Sequence, residues 1–186
     1  GKTVTLQVLA EAFAREGANV AIMDVASNAQ FGTLYRHSAT GDLESARQEL
    51  AATGQKVLTL VGDVRKSADL SAALDRTATE LGGVDIVVCN AGVLAPAKSW
   101  ELTEEQWDYV TGVDLKGVWL TAKQAVPRLI EQKRGGRIIF ISSVGGLAPR
   151  PAPELGVEDD AHALIDRICR AQAMRSGWIA TRYEQA

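Results

Sequence analysis

Asp24, Asn90 and the pair Ser142-Ser143 each follow a short apolar run, and each residue type can handle a polar ligand. Asp24 closes the run Asn19-Val-Ala-Ile-Met23, which itself follows a helical pattern. A carboxylate at the end of such a strand can hold the hydroxyl pair of a ribose. Its charge also repels a 2′-phosphate, which favours NAD over NADP. Asn90 leaves the run Val84 to Cys89 through Ala91 and Gly92. Gly92 lets the backbone turn sharply, and Ala91 keeps the exit narrow enough for a flat ligand. In an open parallel sheet, ligands bind beyond the carboxyl ends of the strands, where Asn90 would sit. The plainer alternatives are a solvated loop beginning at Asp24 and a simple asparagine-glycine loop at Asn90.

Helices and strands in alternation must place these residues. Leu6, Leu9, Ala10, Phe13 and Ala14 recur at helical spacing, and Gly17 stops the run. Residues 25–40 form a polar connection longer than a strand-to-helix turn requires, and His37 within it reads as a surface residue. A helix over 42–52, a strand over 56–61 and a helix from Ser67, read as its cap, to Leu81 follow. The continuous apolar run Val84–Cys89 predicts a strand covered by helices on both faces. Thr103-Glu-Glu-Gln106 is a capping box that starts a helix with Trp107 and Val110 inward. The helical pattern resumes from Val113 to about Ile130, with Pro127 expected to bend it. Arg137–Ile141 reads as another buried strand that ends at Ser142-Ser143. The expected fold is α/β, a doubly wound parallel sheet with right-handed crossovers.

Composition narrows the function classes. A formal net charge of −3 and a pI near 5.5 give no reason to expect a nucleic-acid or membrane partner. Cys89 and Cys169 lack metal-ligand spacing and read as reduced thiols of a cytoplasmic protein; no metal site is expected. No apolar run approaches membrane-spanning length, and no signal-peptide pattern is found. Gly1-Lys2-Thr3 looks like the end of a phosphate-binding loop, which leaves a truncated P-loop nucleotide hydrolase as a minor alternative. Gly1 with Thr5 also fits the spacing for myristoylation. Both are short matches that arise easily by chance.

Five signatures in register carry a family resemblance: Asp24, Gly62-Asp63-Val64, Asn90-Ala91-Gly92, Asp114-Leu-Lys-Gly117 and Ile141-Ser-Ser143. In order and spacing the chain resembles the classical short-chain dehydrogenases/reductases over roughly Leu9 to Leu147. The resemblance implies a Rossmann-like dinucleotide-binding region over 1–148. It assigns Asp24 to the choice of NAD, and Asp63 with Val64 to the adenine. Asn90, Ala91 and Gly92 would line the cofactor cleft. It implies that Ser143 orients a substrate carbonyl or alcohol, with hydride passing between nicotinamide and a secondary alcohol or ketone. The long connection after Asp24 is similar to that of a subgroup that holds NAD tightly.

The departures from the family pattern matter as much. The family's tyrosine with a lysine four positions later is absent: Tyr35 is followed at that distance by Ala39, Tyr109 by Val113, and no lysine follows Lys133. That pair supplies the acid or base and lowers its pKa. Val4 and Leu6 stand where the family has glycines of its phosphate-binding turn. The first strand is missing too, which leaves a gap in the centre of the sheet. Val4-Thr-Leu-Gln-Val8 alternates well enough to fill it as a strand. Asp114 occupies the place of an asparagine that holds a water in the family's proton relay; a carboxylate accepts hydrogen bonds and cannot donate as an amide does.

Residues 149–186 carry no resemblance. Pro149, Pro151 and Pro153 make a stiff connector, and Asp160–Arg175 reads as an amphipathic helix suited to core packing or to a homo-oligomer interface. His162 there reads as surface. A truncated chain, an alternative transcript or a shifted reading frame would each leave such ends. The expected function is an NAD(H)-dependent oxidoreductase acting on a small-molecule alcohol or carbonyl. The alternative is a non-catalytic nucleotide-binding or interaction protein that kept the sheet and lost the chemistry.

Overall fold

The structure, a computed structural model, describes residues 2–25, 40–95, 97 and 100–142. Ser143, the connection over 26–39 with His37, and the whole region 149–186 lie outside the described residues. The order of elements is α1 (Lys2–Arg15), β1 (Val20–Asp24), α2 (Thr40–Ala51), β2 (Val57–Val61), α3 (Ser67–Leu81), β3 (Ile86–Cys89), α4 (Glu104–Thr111), a π-helical segment (Gly112–Gly117), α5 (Val118–Glu131) and β4 (Arg137–Phe140). The strands pair in parallel, β1 with β2 and β3 with β4, as alternating helices and strands require.

Among the described residues the two pairs form separate sheets, and no described strand occupies the gap expected beside β1 and β3. Val4–Val8 does not fill it. That expectation is corrected: these residues lie inside α1. Leu6, Ala10 and Ala14 fall four residues apart, and all pack into one cluster with Ile22, Leu43 and Leu50. A strand would send alternate residues to opposite faces and break that stripe.

Side chains alternate across the β1–β2 pair. Val20, Ile22 and Val57 pack on α1 and α2, while α3 packs on the pair as well as on α5. A second cluster joins Val84, Val87 and Cys89 to Leu74 and Ala78 of α3 and to Ala125 and Leu129 of α5. α3 therefore reaches both strand pairs. Arg128 of α5 is tied to it by Asp75 at 2.6 Å and by the Ser71 hydroxyl at 2.9 Å. Before β3 the Gln132 side chain accepts from the Val84 N–H at 2.7 Å and donates to the Val84 carbonyl at 2.6 Å. It satisfies both backbone groups as a neighbouring strand would.

Three further expectations are corrected. Ser67 does not cap α3: Lys66 is the N-cap residue, with no side-chain cap bond, and the Ser67 hydroxyl accepts from Gln124 at 2.8 Å. β3 begins at Ile86 rather than Val84, because Gln132 already takes up the Val84 backbone. The strands β3 and β4 are not covered on both faces by the described residues: Ile86 is 44% exposed and Ile139 38%. Their described cover comes from α3 and α5, on the face of Val87 and Ile138. The capping box is present, with the Thr103 oxygen accepting from the Gln106 N–H at 3.2 Å.

Gly136 sets the entry to β4. A methyl group there would meet the Asp85 carbonyl at 2.9 Å and Leu129 at 2.6 Å. Gly136→Ala is expected to cost about 1–3 kcal/mol in urea unfolding, because the backbone oxygen cannot move aside cheaply. An unchanged midpoint would contradict that close approach.

Candidate functional site

The described residues picked from the sequence lie at or just beyond the carboxyl ends of strands, apart from Asp114. Asp24 is the last residue of β1, Asp63 and Val64 follow β2, and Asn90-Ala91-Gly92 follow β3. Parallel pairing places the exits of β1 and β2 side by side, and the Asp24 carbonyl accepts from the Gly62 N–H at 3.0 Å. A Cβ on Gly62 would stand 2.9 Å from the Met23 sulfur and 3.3 Å from the Asp69 Cβ. α1 leads through a turn at Gly17 into the start of β1, so it runs back along the strand. Its N-terminal end therefore lies at the crevice end. Helix N-termini favour anions. Lys2 and Thr3 open this helix, while Gly1 lies outside the described residues.

Asp63 is nearly buried, 8% exposed, and its carboxylate is held by Arg65. Oδ1 accepts from the Arg65 backbone N–H at 2.9 Å and from Nε at 3.0 Å; Oδ2 accepts from the terminal nitrogen at 2.6 Å. Burial alone would push the Asp63 carboxyl up, but the bonds from Arg65 outweigh it and hold the carboxyl below its ordinary range. The Asp63 N–H donates to Asp69 of α3 at 3.0 Å. Arg65 also lies over the Tyr109 ring of α4, 5.1 Å from its centre. Val64 packs so close to the π-helical segment that a Cβ on Gly117 would meet its methyl at 2.8 Å. The loop after β2 is thus clamped to α4 and the segment that carries Asp114.

Asp114 lies in that π-helical turn, a local widening often found at functional sites. Its Oδ1 accepts from the Val93 N–H at 2.9 Å, which ties the exit loop of β3 to the helix. This bond needs only an acceptor, so a carboxylate serves where an asparagine would also do. Asn90 itself is buried, 7% exposed. Asp24, Asp63, Asn90 and Asp114 are brought to one region; Ser143 lies outside the described residues.

Arg65, Tyr109 and Gly117 carry much of this geometry and were not legible beforehand. Arg65 is only two residues from Asp63, yet the Tyr109 face it rests on lies on a different helix. The glycine in Asp114-Leu-Lys-Gly117 was the one available signal.

Cys89 ends β3 just before Asn90, buried and without a disulfide. Burial pushes its thiol up to about 12. At pH 8 the folded chain is expected to keep Cys89 unalkylated by iodoacetamide, with labelling only in urea. Equal labelling in both states, read by peptide mass, would contradict the burial.

The donor set suits a dinucleotide. Asp24 offers a carboxylate of the kind that holds a ribose diol, at the end of a strand. The Asp63 carboxylate is engaged by Arg65, so it shapes its loop more than it offers free acceptors. Among the described residues no group of histidine, cysteine and acid side chains could hold a metal ion. No described helix is long and apolar enough to cross a membrane.

A family model described as short chain dehydrogenase matches residues 7–154. The chain is 38% identical to an uncharacterized NAD-dependent oxidoreductase of Mycobacterium tuberculosis, over 74% of this chain and 50% of that protein. It is 36% identical to a (-)-trans-carveol dehydrogenase of Rhodococcus erythropolis, over 72% of this chain and 48% of the relative. The chain thus spans about half the length of these curated relatives. Among solved structures, a carveol dehydrogenase of Mycobacterium avium in complex with NAD superposes with a TM-score of 0.79 at 29% identity, covering 91% of this chain and 59% of that one.

Proposed function

Because the chain belongs to the short-chain dehydrogenase family, we propose that it binds NAD(H) across the carboxyl ends of β1, β2 and β3 and serves an oxidoreductase reaction. The substrate class is a secondary alcohol or its ketone, supported by the similarity to a (-)-trans-carveol dehydrogenase. One observation carries the reading: Asp24, Asp63-Val64 and Asn90-Ala91-Gly92 each follow the carboxyl end of a strand in a parallel pair, and Val64 packs against the π-helical segment whose Asp114 holds the loop after Asn90. Asp24 holds the ribose hydroxyls and rejects a 2′-phosphate, so NAD is preferred to NADP. Asp63, fixed by Arg65, sets the path of Val64 beside the adenine. Asn90, Ala91 and Gly92 form the wall of the cleft, and Asp114 holds their loop through Val93. The bound cofactor supplies the hydride acceptor or donor. Ser143 orients the substrate oxygen. The dinucleotide-binding region on this reading is 1–148.

A second reading is favoured by one feature. The sequence holds no tyrosine with a lysine four positions later, so the usual proton-transfer pair is lacking. On that reading the cleft binds the nucleotide without turnover.

NADH titration followed by fluorescence, on the chain and on Asp24→Ala, tests the proposal. Saturable binding is expected to weaken about 10–100-fold in the variant, the loss of charge-assisted bonds worth about 1.5–3 kcal/mol. Oxidation of secondary alcohols by the same preparation would then separate the two readings. No binding by a folded chain would overturn both.

A further inference from the structure

We infer that Arg65 is a specificity-determining residue at the nucleotide end: by taking up the Asp63 carboxylate, it leaves the 6-amino group of a bound adenine unread. The role rests on the proposed binding of NAD(H) and extends it to the choice of base. The 6-amino group of adenine is a hydrogen-bond donor, so recognising it takes an acceptor beside the base. In the loop after β2 the Asp63 carboxylate is the side chain of that kind, and it is already engaged. An ionised carboxylate offers roughly four lone-pair positions on its two oxygens. Oδ1 accepts from the Arg65 backbone N–H at 2.9 Å and from Nε at 3.0 Å. Oδ2 accepts from the same Nε at 3.0 Å and from a terminal nitrogen at 2.6 Å. Val64, the next residue, has an apolar side chain that carries neither donor nor acceptor.

Arg65 is itself held from another part of the fold. Its guanidinium lies over the ring of Tyr109 on α4, 5.1 Å from the centre, and Tyr109 is buried. Its stem runs close over the π-helical segment, where a Cβ on Gly112 would stand 3.3 Å from the Arg65 Cδ. The Asp63 N–H donates to Asp69 at 3.0 Å, which fixes the loop against α3. Turning Arg65 aside to admit the amino group would leave a carboxylate only 10% exposed without its counter-charge. That loss exceeds the gain of one new bond, because a buried charge stripped of its partner is costly.

Fluorescence titration at pH 8 with two reduced cofactors tests this: NADH, and its analogue in which hydrogen replaces the adenine 6-amino group. The analogue keeps the ring nitrogens, so the comparison isolates the amino group. The chain is expected to bind both with affinities within about threefold of each other. Arg65→Met frees the carboxylate and is expected to prefer NADH by about 10-fold or more, the size of one charge-assisted bond. Arg65→Lys keeps a charge beside Asp63 without the planar fork, and its ratio is expected to move in the same direction. A merely structural role for Arg65 would weaken both cofactors equally and leave the ratio unchanged. A preference of the unsubstituted chain for NADH above about threefold, or an unchanged ratio in the folded variants, would overturn the role of Arg65 and leave NAD(H) binding in place. Binding of neither cofactor by the folded chain would overturn both.

Discussion

Leu50→Ala is expected to lower the unfolding free energy by about 2–5 kcal/mol, the largest stability loss of any single truncation proposed for this chain. Leu50 is 2% exposed and packs with Ala10, Ala14, Ile22 and Leu43. That cluster joins α1, α2 and β1, so nothing nearby is free to collapse into the space left behind. A domain stable by about 5–15 kcal/mol would lose a large share of its margin. The effect should reach the cleft as well, since Ile22 sits two residues before Asp24 on the same strand. Urea unfolding of the variant checks this; a loss below about 1 kcal/mol would mean that the cluster does not hold β1 in place.

Asp63→Asn is expected to cost about 1–3 kcal/mol at neutral pH, with the figure kept low because the Arg65 side chain is one-third exposed. It should also flatten the acid limb of the stability curve. The folded carboxyl is held below its ordinary value of 3.8 by Arg65. A depressed folded pKa contributes stability that is present above the unfolded value. That stability is lost as pH falls through the folded one. The wild type should therefore lose stability below about pH 4 more steeply than Asp63→Asn does. Parallel acid limbs, measured by urea midpoints from pH 6 downward, would contradict the assigned pairing. Because Arg65 rests on Tyr109, the same substitution should loosen the contact between the loop and α4.

The sheet was legible because its signals are local. The helical spacing of Leu6, Ala10 and Ala14, the capping box at Thr103 and the apolar run to Cys89 each state their own element. The positions of Asp24, Asp63 and Asn90 at strand ends were legible for the same reason. What misled was period ambiguity over Val4–Val8, where a five-residue window fits both a strand and a helix turn. The choice is made by Leu43 and Leu50, far along the chain, which supply the surface that α1 covers. Ser67 misled as well, because a serine before an apolar stripe resembles a cap, while its hydroxyl is taken by Gln124 of α5. Arg65 on Tyr109 and Asp114 on Val93 are contacts between separate elements, and no spacing rule encodes them.

The central claim is that the strand ends around Asp24 and Asn90 form a dinucleotide cleft. Mapping NADH onto the amide spectrum of the chain tests it most directly. Saturable shifts centred on Asp24, Val64 and Asn90 to Gly92, with α2 and the far ends of the strands unmoved, are the predicted result. Binding that shifts other residues and leaves these unchanged would contradict the cleft.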